Sequence, residues 1–71
     1  MSIAKHSVMI AGHRTSISLE PEFWDALKRI AEKQGTSPAE LITRIDANRA
    51  GGLSSALRVF VLKTVMDEKP L

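Results

Sequence analysis

A short stretch of alternating polar and apolar residues, His13–Leu19, places the strongest constraint on the fold. In an extended strand, alternate side chains point to opposite faces. One face is mainly apolar and consists of Thr15, Ile17 and Leu19. The other is polar, contains no acid and consists of Arg14, Ser16 and Ser18. A lone strand of this length is not stable, and no second strand of equal quality follows. The sequence therefore predicts pairing with the same strand of a second copy, in an intermolecular antiparallel two-stranded ribbon.

The size of the chain also favours association. Its 71 residues permit one small domain, and such a domain usually needs a metal, a disulfide or a partner chain for support. Disulfides are excluded because there is no cysteine, and His6 and His13 alone do not make a zinc site. The hydrophobic content of 44% suits a core shared between two chains. We therefore expect a homodimer without metal or cofactor.

Three helices are predicted after the strand. The first begins at Glu20-Pro21 and ends at Gly35, and the second begins at the capping box Ser37–Glu40 and ends near Asn48. A third, strongly apolar helix is expected from about Ser54 to Met66.

The predicted organisation is one domain in three segments. An N-terminal arm occupies residues 1–12, with a flexible tail over residues 1–7. The core spans 13–50, and the third helix and C-terminal tail span 51–71. Ser7–Ile10 is a short β-prone run, and a bend near Ala11-Gly12 would keep its apolar residues off the polar face.

The segment RTSISLEPEFWDALKRIAEKQGTSPAELITRID, beginning at Arg14, resembles the ribbon-helix-helix DNA-binding proteins. It is most similar to small bacterial members of unassigned role, and the matching segment is roughly half of the chain. The resemblance implies a mainly α fold with one β-strand per chain, dimerised through the ribbon. A third helix would be an addition to the minimal family fold.

The resemblance also implies candidate site residues. Outward ribbon residues read bases in this family, and here they are Arg14, Ser16 and Ser18. The turn between the helices contacts a phosphate, here through Thr36 and Ser37. Lys5 is a further candidate for a phosphate contact, although it equally suits a solvated tail. The expected dimer core consists of Ile17, Leu19, Trp24, Leu27, Ile42 and Ile45.

Two functions remain open at this point. The first is binding of double-stranded DNA by a transcriptional regulator, most simply a repressor, whose ribbon enters the major groove and which can form higher oligomers on DNA. The second is an antitoxin-like or scaffold dimer that binds a partner protein through the third helix. The sequence shows no catalytic constellation, so we expect no enzyme. It also lacks a signal sequence or an apolar run that could span a bilayer, so we expect a cytoplasmic protein without membrane contacts.

Overall fold

A β-hairpin packs on three helices in the computed structural model of the protein, which describes residues 3–48 and 51–68. The strands are β1 (Ala4–Ile10) and β2 (His13–Leu19). The helices are α1 (Pro21–Lys33), α2 (Pro38–Asn48) and α3 (Leu53–Glu68).

The ribbon is formed within one chain, which corrects the prediction of an intermolecular ribbon. Strand β1 pairs antiparallel with β2, from Ala4 opposite Leu19 to Ile10 opposite His13. The predicted tail over residues 1–7 is thus wrong from residue 4 onward, and the predicted arm supplies half of the ribbon. Residues 1 and 2 of that tail lie outside the described residues.

A two-residue turn at Ala11-Gly12 reverses the chain. Both residues have positive φ, 50° at Ala11 and 83° at Gly12, as a type I′ hairpin turn requires. Glycine adopts this conformation freely, whereas alanine is strained by its Cβ. The predicted bend is therefore in the right place, but it reverses the strand and turns Val8 and Ile10 toward the core.

The core lies between the inner face of the hairpin and the helices. Strand β1 contacts α2, β2 contacts α3, and α1 packs against both other helices. The buried side chains are Ile10, Ile17, Leu19, Leu27, Ile30, Ala31, Leu41, Ile42, Leu57 and Val61.

Most of the predicted dimer core is the core of a single chain. Ile17, Leu19, Leu27 and Ile42 are at most 1% exposed without any partner. Trp24 and Ile45, the other two predicted residues, are partly buried against the same cluster. The argument that Ile17 and Leu19 need a second chain is wrong, because β1 and the helices already cover them.

The turn between α1 and α2 forms as the sequence predicts. Gly35 has φ of 70° and ends α1, with its N–H donating to the Glu32 carbonyl at 3.1 Å. The Thr36 N–H donates to the Ala31 carbonyl at 2.9 Å, which completes a Schellman motif. The Ser37 hydroxyl then accepts a 3.1 Å hydrogen bond from the Glu40 N–H and caps α2.

Replacing Ser37 with Ala is expected to lower the free energy of unfolding by about 1 kcal/mol, because the Glu40 N–H loses its partner. Chemical denaturation of both proteins measures the difference. Ser16→Ala, at an exposed strand position, is the matched control and should change stability by less than about 0.5 kcal/mol. Equal effects from the two substitutions would argue against the cap.

An ion pair joins the start of α1 to α3. The Arg58 guanidinium donates to both Glu20 carboxylate oxygens, at 2.8 Å to Oε1 and 3.3 Å to Oε2. Both side chains are only partly exposed, 33% for Arg58 and 23% for Glu20. These hydrogen bonds from Arg58 lower the pKa of Glu20, assisted by a backbone hydrogen bond and the Arg58 charge and opposed by partial burial.

The ion pair predicts a pH dependence of stability. Because folding lowers the pKa of Glu20, its contribution is present above the ordinary glutamate range, about pH 4.3, and is lost as pH falls through the lowered value. Thermal melts should show Glu20→Gln to be less stable than wild type at neutral pH, with the gap closing toward about pH 3. Glu22→Gln, at an exposed position of the same helix, is the control. A gap that persists unchanged in acid would contradict this role for the ion pair.

Candidate nucleic-acid interface

The outer face of the hairpin is a polar surface built from three cross-strand pairs. These pairs are Lys5 with Ser18, Ser7 with Ser16, and Met9 with Arg14. We call these six residues the ribbon face. All are exposed except Ser18, which is partly buried, and none is acidic.

The two cations of the ribbon face lie at opposite ends and on different strands. Lys5 is on β1 beside the end of β2, and Arg14 is on β2 beside the turn. Four residues of strand separate their levels, roughly 14 Å at about 3.4 Å per residue. This separation is close to the width of the DNA major groove, about 12 Å, which admits a two-stranded ribbon.

The predicted base-contacting residues share this face. Arg14 and Ser16 are exposed and Ser18 is partly exposed, all on the side of β2 away from the core. Lys5, expected on a flexible arm, lies on the same face, directly opposite Ser18. The structure thus brings four candidate residues together. Their contacts with DNA remain predictions.

Ser7 and Met9 were missed by the sequence analysis. Met9 is 54% exposed although it is apolar, and it stands opposite Arg14. The signal was present in the alternation of Lys5 and Ser7 with Val8 and Ile10, followed by two residues ending in glycine. Reading Ala11-Gly12 as a hairpin turn would have placed both residues on the ribbon face.

Thr36 and Ser37 have other partners at the start of α2. The Thr36 hydroxyl donates to Glu40 Oε2 at 2.6 Å, and the Ser37 hydroxyl is the helix cap. Glu40 also pairs with Arg44, 3.8 Å away and highly exposed. A phosphate at this helix end would therefore meet a carboxylate, so the predicted phosphate contact requires Glu40 to turn away. That contact stays a prediction.

An aromatic stack supports the inner side of the ribbon. The His6 ring lies 4.0 Å from the Trp24 ring and nearly parallel to it, at 10°. His6 Nε2 is buried and has no hydrogen-bond partner in the part of the chain that the structure describes. Trp24 thus fixes β1 against α1 and is not available to stack on a base.

A groove with a mainly apolar lining runs between α2 and α3. Its volume is about 730 Å³. Apolar side chains from both helices line it, with Arg44 and Lys63 among its polar residues. The apolar residues are Leu41, Ile45, Ala56, Val59 and Phe60.

The described residues offer neither a metal cluster nor a membrane span. Across residues 3–48 and 51–68, no three His, Asp or Glu side chains are grouped in a way that could hold a metal ion. Over the same residues, every helix is too short or too polar to cross a bilayer.

Comparison with known proteins identifies the family. A model of the ribbon-helix-helix domain matches residues 3–65. The chain belongs to the ribbon-helix-helix domain family. Its members are usually DNA-binding transcription regulators or antitoxins. The match includes β1 and most of α3, so the third helix belongs to the matched domain and is not an addition to it.

A solved structure has the same architecture as this ribbon-helix-helix chain. It is that of an uncharacterized protein from Bordetella pertussis Tohama I, with a TM-score of 0.75 and 32% sequence identity. The similarity covers 94% of this chain but only 59% of that one. No curated protein matches the chain.

Proposed function

We propose that this protein is a DNA-binding transcriptional regulator without catalytic activity, acting in the cytoplasm as a homodimer. The observation that carries the proposal is the ribbon face, a largely exposed surface with two cations, three hydroxyl groups and no acid. Phosphates attract the cations, and the hydroxyls can donate to or accept from base edges.

Arg14 is the principal base-reading residue in this proposal. A guanidinium can donate two hydrogen bonds to guanine O6 and N7, the commonest specific contact in the major groove. Met9, directly across the ribbon, can pack on a thymine methyl group. Lys5, at the other end, contacts a phosphate, while Ser16 and Ser18 accept several bases.

The homodimer is proposed on two grounds. Ribbon-helix-helix proteins bind DNA as dimers, and several large apolar side chains on α3 are exposed in the single chain. Each chain already holds a complete hairpin, so a dimer would present two ribbon faces. Two such faces suit a DNA site with two half-sites, one or more helical turns apart.

The direct test is selection of bound sequences from a random DNA pool, followed by affinity measurements across a salt series. We expect a preferred site containing guanine and a binding constant that falls with salt, because Lys5 and Arg14 displace counterions from phosphates. A random duplex of equal length is the control. Equal, weak binding to both duplexes at every salt concentration would overturn the proposal.

The second candidate is a dimer that acts through a partner protein, in the manner of an antitoxin. The exposed apolar side of α3 favours it, since Leu62 and Met66 are 56% and 55% exposed. If no duplex is bound while a partner protein engages α3, this function replaces DNA binding.

A further inference from the structure

Helix α3 is apolar on two opposite sides. Leu57 and Val61 point into the core and are at most 4% exposed. On the other side, Val59, Leu62 and Met66 are 46%, 56% and 55% exposed. Apolar side chains on both sides of a helix are typical of one that is covered on both sides. The outer side of α3 therefore requires a partner.

The outer residues follow the spacing of a two-helix seam. Ser55, Val59, Leu62 and Met66 are separated by four, three and four positions, as alternate d and a positions of a heptad are. We call these four residues the α3 seam. Val59 and Met66 occupy a positions and Leu62 a d position. β-Branched residues at a with leucine at d favour two helices over three or four.

We propose that the α3 seam pairs antiparallel with the same seam of a second copy, and so forms the dimer interface. This inference rests on the homodimer of the proposed function and locates its contact on α3 instead of on the ribbon. A two-fold axis between Val59 and Leu62 sets each of these residues against the other in the partner. It also sets the large Met66 against the small Ser55, so the layers fill evenly.

The charges beside the seam select the antiparallel direction. Arg58 and Lys63 occupy the flanking g and e positions. In a parallel pair, Arg58 would face Lys63 of the other copy, and like charges would meet twice. In the antiparallel pair, Lys63 faces Ala56 and Arg58 faces Val65, so no like charges meet.

The groove between α2 and α3 extends the interface. Val59 belongs both to the α3 seam and to the lining of this groove. The seam from Ser55 to Met66 is only about 17 Å long at 1.5 Å per residue. A second α3 lying along it would also cover Ile45 and Phe60, which are partly buried in the single chain. Continuity with the groove thus enlarges a contact that the seam alone would leave small.

Sedimentation equilibrium with Leu62→Lys tests the location of the interface. Leu62 is exposed in the single chain, so the variant should keep its fold, as circular dichroism can verify. A lysine at the centre of the seam should raise the dimer dissociation constant about 100-fold or more, since the symmetric dimer carries it twice. Ile3→Lys changes an equally exposed aliphatic residue outside the seam and should leave dimerisation unchanged.

Cysteine cross-linking tests the direction, because the chain has no cysteine of its own. Antiparallel pairing predicts that the double variant Ser55→Cys/Met66→Cys forms interchain disulfides on oxidation, whereas neither single variant does. Efficient cross-linking of either single variant would overturn the antiparallel arrangement.

The outcomes also separate this inference from the proposed function. A wild-type dimer that Leu62→Lys leaves intact would overturn the seam while the homodimer stands. A folded wild-type monomer at micromolar concentration would overturn both, and DNA binding by that monomer would still support the ribbon face.

Discussion

Replacing Leu27 with Ala is expected to lower the free energy of unfolding by about 2–5 kcal/mol. Leu27 is fully buried at the centre of α1 and belongs to the single cluster of core residues. Its removal loses transfer free energy and leaves a cavity that the rigid hairpin and helices fill only in part. For a domain of this size the loss is a large share of total stability.

Urea denaturation at fixed protein concentration measures the effect of Leu27→Ala. Ala26→Gly is not a suitable control, because glycine itself weakens a helix. Lys28→Ala is better matched, since Lys28 is 51% exposed in the same turn and its pairing with Asp25 is at the surface. It should change stability by less than about 0.5 kcal/mol. If both variants unfold at the wild-type midpoint, the assigned inner face of α1 is wrong.

Replacing Arg14 with Ala is expected to weaken binding to the selected DNA site by about 1–3 kcal/mol for each base contact removed, and a symmetric dimer makes two. Arg14 is exposed beside the hairpin turn and is the arginine of the ribbon face. Because its proposed partner is a base, preference at that position should relax, and binding to a random duplex should change much less.

Two variants separate base reading from charge alone. Lys5→Ala should weaken all duplexes alike and reduce the salt slope by about 1 for each phosphate that is no longer neutralised. Arg29→Ala removes the same side chain from an exposed position on α1 and should leave site preference unchanged. Wild-type affinity and preference in a folded Arg14→Ala dimer would mean that another surface binds DNA.

Local signals in the sequence predicted the helices well. Gly35 ends α1 through its positive φ, and Ser37 caps α2, because both effects depend on neighbouring residues in the chain. The polar face of β2 was also predictable, since a strand alternates its side chains whatever it pairs with.

The pairing partner of β2 was not predicted, because β1 has weak strand signals. His6 sits on its inner face, where an apolar residue is the usual choice, and Met9 sits on its outer face. His6 is accommodated there by its stack on Trp24, a tertiary contact that no local pattern encodes. Ala11 also occupies a turn position for which asparagine or glycine is the expected residue.

The turn at Ala11-Gly12 has a consequence for the order of folding. A ribbon made from two chains forms only when the chains collide, so its folding rate depends on concentration. Here the strands are adjacent in sequence, and closing a two-residue loop is a fast, unimolecular event. Newly synthesised protein can therefore complete its ribbon while still alone, and a rare regulator need not wait for a second copy before its groove-reading surface exists.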